Sequence, residues 1–221
     1  SIVIPAYNVE KYINECLAAL ETLPTSQTEI IFIDDGSTDG TKGAIERYLA
    51  SAPAAQNITQ IYKPNGGLVS SLNLGLEVSR GDFIYIIASD DIPSAAGISK
   101  LINILDDCHD AMFAIGGARR FTGNPSESKP AYNRSHLDFL QASPSIREKQ
   151  IYFSYPAPLL LQSTIFRKSA LDSINGWDSD LTLDDYPTFI KLLSKYPVFG
   201  KDFVYHPDVT VVHYRQHDSN S

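Results

Sequence analysis

The chain of 221 residues contains only two cysteines, Cys16 and Cys108, with one methionine and one tryptophan. Neither cysteine belongs to a CxxC pair, which excludes a disulfide scaffold and a thiolate zinc site. Cys16 falls in a helical apolar pattern and reads as a core residue. No apolar run approaches the roughly 20 residues that a membrane-spanning helix needs. Positive charge is scarce: 18 Lys and Arg stand against 26 Asp and Glu, a net charge of −8. A balance of that sign argues against a nucleic-acid partner held by phosphate neutralisation. It leaves small phosphorylated ligands open, because a divalent cation can carry the positive charge locally. An initiator methionine and a signal peptide are also missing. The chain opens on Ser1-Ile2-Val3-Ile4-Pro5, already strand-like, and is expected to be a piece of a longer protein cut at a domain edge.

What is present is an ordinary globular composition, 43% hydrophobic and 20% charged, long enough for one large domain. Short apolar runs at 2–4, 29–33 and 58–62, and the strand-like stretch 81–93 that ends in Asp90-Asp91, alternate with amphipathic patterns. The first of these patterns follows Asn8, a plausible N-cap, and places Tyr12, Ile13, Cys16, Leu17 and Leu20 at helical spacing. The second holds Ala44, Ile45, Tyr48 and Leu49, the third Leu68, Leu72 and Leu76, and a fourth spans 96–105. Four strand–helix units of this kind predict an α/β fold on a largely parallel sheet. Beyond about residue 110 the rhythm breaks. Strands are expected at 112–115, 164–166, 198–205 and 209–214. Helices are expected at 168–174 and after Pro187, with Phe189, Ile190 and Leu193 on one face. Residues 123–145 read as loops with a short helix at 137–141, and 215–221 as a polar tail.

Acidic doublets stand at the ends of three elements: Asp34-Asp35, Asp90-Asp91 and Asp184-Asp185. Asp is a common turn and capping residue, which is the ordinary explanation for any one of them. The first two, however, end buried strands, where a charge is costly unless paired, solvated or metal-bound. Parallel strands 2 and 4 point the same way, so both doublets fall on one sheet edge, where ligands of open α/β sheets bind. Paired carboxylates there suit a hard divalent cation.

The ordered set Ile2-Val3-Ile4-Pro5-Ala6-Tyr7-Asn8, Phe32-Ile33-Asp34-Asp35-Gly36-Ser37, Asn65-Gly66-Gly67, Asn73-Leu74-Gly75, Gly81-Asp82-Phe83-Ile84 and Ser89-Asp90-Asp91 resembles the family 2 glycosyltransferases of the GT-A fold. The resemblance implies a Rossmann-like, mostly parallel sheet with helices on both faces and a smaller acceptor-side subregion. It implies one domain over 1–221, with a nucleotide-sugar half at 1–110 and an acceptor half carrying the catalytic base at 111–221. By the same resemblance Pro5, Ala6 and Tyr7 lie along the base and ribose, and Asp34 or Asp35 accepts from a uracil N–H. Asn65 and Gly66 let backbone approach the nucleotide. Asp90 and Asp91 match the metal motif, with Mn²⁺ or Mg²⁺ bridging the diphosphate, although Ala88 stands where that motif usually opens with Asp, and Leu72 where relatives often carry Arg. Asp185 corresponds to the catalytic base and Asp184 to its neighbour. Arg215 is implied as a phosphate partner and His217 as a third metal ligand. Trp177 fits either acceptor stacking or core packing. The donor is expected to be UDP-linked, the acceptor a saccharide or glycolipid, and the location cytoplasmic, at the inner face of the membrane through parts outside this chain. Two rivals are a nucleotide-sugar-binding domain without catalysis and a sugar nucleotidyltransferase. The latter normally needs a Gly-rich, basic phosphate loop where this chain has Pro-Ala-Tyr-Asn.

Overall fold

A computed structural model describes residues 1–24, 27–51, 57–181 and 183–217. The first four units fold as the apolar patterns require. They are β1 (Ile2–Ala6), α1 (Ile13–Leu20), β2 (Glu29–Asp34), α2 (Thr41–Ser51), β3 (Asn57–Tyr62), α3 (Leu68–Val78) and β4 (Phe83–Ile86). These strands run parallel in the order β3-β2-β1-β4. β1 and β2 are buried along their whole length, as strands covered on both faces must be. Val3 and Ile33 face α3, whose Gly75 sits so close that a Cβ there would lie 2.3 Å from Val3 Cγ1. Phe32 points to the other face and meets Tyr48 of α2 edge to face at 5.9 Å. Helices therefore cover both faces.

The second part is built from β5 (Ile92–Pro93), α4 (Ala95–Asp107), β6 (Phe113–Phe121), a 3-10 turn (Pro125–Glu127), β7 (Lys129–Pro130), α5 (Arg134–Gln141) and α6 (Pro144–Phe153). It continues with a second 3-10 turn (Leu161–Ser163), β8 (Thr164–Arg167), α7 (Lys168–Asp172), α8 (Asp185–Lys195) and β9 (Phe203–Arg215). The sheet extends from β4 through antiparallel β8 to β6, β9 and β5, with β7 on β6. It is a mixed sheet, parallel over most of its paired length. Among the described residues no helix is long and apolar enough to cross a membrane.

Several boundaries differ from the sequence reading. The first helix starts at Ile13, and Asn8 does not cap it. Asn8 takes a positive φ of 51°, and its Oδ1 accepts from Thr38 N at 2.8 Å, stitching the loop after β1 to the loop after β2. The fourth strand pairs only to Ile86. Ile87 stays fully buried, so the apolar run reported burial beyond the end of pairing. Helix α6 begins at the last two residues of the expected loop and runs on to Phe153, through a stretch for which no element is expected. Only Arg147 and Ile151 of it are buried, and Arg147 holds it by donating to Leu140 O, Ala142 O and Pro197 O at 2.7–2.8 Å. The two expected final strands are one strand, β9, with register shifts against β6 around Gly116–Gly117. Trp177 is 4% exposed and packs in the core, where its backbone N and O are both bound by the Asn73 side chain at 2.9 Å. The far end of the expected tail, 218–221, lies outside the described residues.

Candidate active site

Strand register brings the loops after β1, β2 and β3 to one edge. Ala6, Asp34 and Tyr62 lie side by side, so Tyr7, Asp35 and Lys63 all leave the sheet together. Tyr7 is half exposed at that edge. Pro5 and Ala6 are buried residues at the end of β1, directly before Tyr7.

The two carboxylates of the first doublet are used differently. Asp35 accepts from Gly66 N and Gly67 N at 2.8 Å and pairs with Lys63. It is consumed in holding the Asn65-Gly66-Gly67 loop. Asp34 accepts one bond, from Ser37 N at 2.8 Å. Gly36 lets the two loops touch. It has a φ of 77°, and a Cβ there would meet Asn65 N at 2.8 Å. Asn65 and Gly66 are thereby held exposed at the edge.

The second doublet divides in the same manner. Asp91 is fully buried; its Oδ1 accepts from Arg215 N at 2.7 Å and its Oδ2 from Gln162 Nε2 at 3.2 Å. Burial, then the neighbouring Asp90 charge, pushes its carboxyl well above the usual range. Asp91, expected as a metal ligand, has both its oxygens bonded to protein groups here. Asp90 instead meets His217, with Oδ2 at 2.9 Å from Nε2, while the His217 ring stacks on Tyr12 at 4.4 Å. Arg215 is 5% exposed. Its Nε donates to Asp90 O at 2.8 Å, its guanidinium pairs with Glu15 at 2.9 Å, and it lies over the Tyr12 and Phe121 rings. These contacts anchor the end of β9.

The third doublet opens α8. Asp184 occupies the capping position without making a side-chain cap bond, so capping does not account for it. Asp185 Oδ1 accepts from Leu161 N at 2.8 Å. Burial, and next the Asp184 charge, raise the Asp185 carboxyl to about 8; burial also raises Asp184. A carboxylate so perturbed is suited to take a proton near neutral pH. Leu161 and Gln162 are adjacent, so one turn touches both Asp185 and Asp91. That contact joins the second and third doublets, and sequence reasoning missed it because neither residue belongs to a recognisable motif.

Among the described residues no three His, Cys, Asp or Glu side chains converge as a ready metal cage. Mn²⁺ and Mg²⁺ do not require one: they are commonly held through one or two protein groups plus substrate phosphates. The Asp90 oxygen and the His217 nitrogen, 2.9 Å apart, are a donor set of that kind.

The family model "Glycosyl transferase family 2" matches residues 1–174. The chain belongs to this family. Among curated relatives, the uncharacterized glycosyltransferase EpsJ of Bacillus subtilis is 38% identical over 101 residues, covering 46% of this chain and 28% of its own. The poly(ribitol-phosphate) beta-N-acetylglucosaminyltransferase TarS of Staphylococcus aureus is 29% identical over 117 residues, covering 52% of this chain and 20% of its own. Among solved structures, TarS 1–349 in complex with UDP-GlcNAc superposes with a TM-score of 0.74 at 20% identity, over 99% of this chain and 59% of that one. The mannosyltransferase PcManGT of Pyrobaculum calidifontis, in complex with GDP-Man and Mn²⁺, gives 0.71 at 20% identity, over 97% and 55%. These neighbours establish the GT-A fold. The chain spans less than two thirds of the length of each of these relatives.

Proposed function

We propose that this chain is the donor-binding and catalytic unit of an inverting, metal-dependent glycosyltransferase that uses a nucleotide-diphospho-sugar, UDP-linked, and a saccharide or glycolipid acceptor. The observation that carries the proposal is the placement of Asp185. It is a carboxylate with a raised proton affinity, held by Leu161 N one residue from the Gln162 contact to the Asp90-Asp91 loop. A base must lie close to the reacting centre, and the leaving diphosphate must lie at the metal side, so the two have to be neighbours.

In this reading residues 1–110 hold the donor. Tyr7, Asp34, Asn65 and Gly66 line the nucleoside position, and the Asp34 carboxylate suits a base that offers an N–H. UDP-GlcNAc in TarS and GDP-Man with Mn²⁺ in PcManGT support a nucleotide-sugar and a divalent cation here. A cation held by Asp90 and His217 would neutralise the departing diphosphate at an edge otherwise rich in carboxylates. Residues 111–217 supply the acceptor side. Asp185 accepts the acceptor hydroxyl proton, and Asp184 keeps its affinity for that proton high. Asp185→Asn preserves shape and the Leu161 bond but removes the proton acceptor. Transfer should fall by about 10²–10⁴-fold while UDP affinity, measured by calorimetry, stays within a factor of two or so. Wild-type turnover in that variant would remove Asp185 from the mechanism.

A further inference from the structure

The turn at 160–163 lies between the two chemical ends of the site, yet none of its residues touches the sheet edge as a catalytic group. Leu160, Leu161, Ser163 and Thr164 are nearly or fully buried. The turn is fastened by hydroxyls that have no other evident task. Leu160 N donates to Tyr132 Oη at 3.0 Å, and Tyr132 Oη and Ser163 Oγ share a 2.5 Å bond. Ser163 Oγ and Thr164 Oγ1 donate to Leu160 O at 2.9 and 3.2 Å. Buried, satisfied networks of this kind fix one geometry. From this rigid turn two adjacent residues reach opposite carboxylates: Leu161 N reaches Asp185, and the half-buried Gln162 side chain reaches Asp91.

We propose that Gln162 is a positioning residue for the metal side of the site, and that the turn carrying it sets the spacing between that side and the base. The inference rests on the donor and metal reading above. Gln162 acts through Asp91. Asp91 Oδ2 accepts from Gln162 and Oδ1 from Arg215 N, so Asp91 is fixed from the turn and from β9 at once. Asp90 immediately precedes Asp91 in the chain, is placed by the same backbone, and meets His217 just beyond Arg215. Releasing Gln162 leaves Asp91 held from one side only and allows Asp90 and His217 to separate. Groups bonded directly to metal ligands typically change metal affinity by 10–100-fold; Gln162 acts one residue further out, through Asp91, so the lower end of that range is expected.

The test uses Gln162→Met, which keeps the length and packing of the side chain but cannot donate. It also uses Gln162→Glu, which sets a second carboxylate against Asp91. UDP affinity is measured by calorimetry with Mn²⁺ and with EDTA, alongside the Mn²⁺ concentration that half-saturates binding and a thermal melt. Gln162→Met should raise the half-saturating Mn²⁺ by about tenfold, with metal-free UDP affinity unchanged and melting lowered by only about 2–4 °C for the one bond lost, and Gln162→Glu should raise the half-saturating Mn²⁺ further. Wild-type Mn²⁺ dependence in a folded Gln162→Met overturns the proposal. So does an equal loss with and without metal, which marks a structural role. If wild-type protein binds UDP no better with Mn²⁺ than with EDTA, the functional reading fails first and this proposal falls with it.

Discussion

The edge at β2 and the edge at β4 each present an Asp-Asp doublet, and in each doublet the two carboxylates have separate work. At β2 it is the second, Asp35, that is spent on structure. It takes two backbone N–H groups and Lys63, and leaves Asp34 with a single bond to Ser37 N. At β4 it is again the second, Asp91, which takes Gln162 and Arg215 N and leaves Asp90 to His217. The difference is what the buried partner fixes: a loop of its own neighbourhood at β2, and two distant elements at β4. One carboxylate of each pair is spent on structure, and the other is left with a single side-chain bond.

That division can be broken by substitution. Asp35→Ala strands Lys63 and two N–H groups and should cost about 3 kcal/mol, or roughly 6–12 °C in melting temperature for a chain of this size. Asp34→Ala loses one bond and should cost about 1 kcal/mol while weakening UDP binding. Equal melting losses would show that the two are not specialised. At β4, Asp91→Ala should cost about 2 kcal/mol by orphaning the Arg215 N–H and the Gln162 amide, detectable by urea unfolding. The smallest effect belongs to the third doublet. Asp185 must be unprotonated to act, so transfer should rise with pH through its carboxyl at about 8. Asp184→Asn removes the like charge, lowers that proton affinity and should move the rise to more acid pH. Folding carries the opposite sign. A carboxyl raised in the folded state disfavours ionisation there, so its burden on stability grows as pH climbs from about 4, the unfolded value, towards 8. A pH–rate profile that Asp184→Asn leaves in place would separate the two residues.

The parts legible in the sequence are those in which a local pattern is also the physical cause. β1 and β2 are continuous apolar runs because they are buried on both faces. One doublet ends β2 and another follows β4, where the chain leaves the sheet. The rest depends on distant partners. Helix α6 shows little apolar periodicity because Arg147, bonded to carbonyls on other segments, holds it. Asp91 and Arg215 look like ligand-facing residues, and only their partners show that they face inward. The turn around Gln162 carries no motif at all, since its role arises from Tyr132 in another part of the chain. Asn73 is visible as a polar interruption of α3, but its clamp on Trp177, far along the chain, is not.

The most direct test of one serving and one building carboxylate is a calorimetric titration of UDP, with Mn²⁺ and with EDTA, into wild-type protein and Asp90→Ala. The account predicts UDP binding that Mn²⁺ tightens in the wild type, with that Mn²⁺-dependent gain lost in Asp90→Ala at an unchanged melting temperature. UDP binding no tighter with Mn²⁺ than with EDTA, or a Mn²⁺-dependent gain that Asp90→Ala leaves intact, would contradict it.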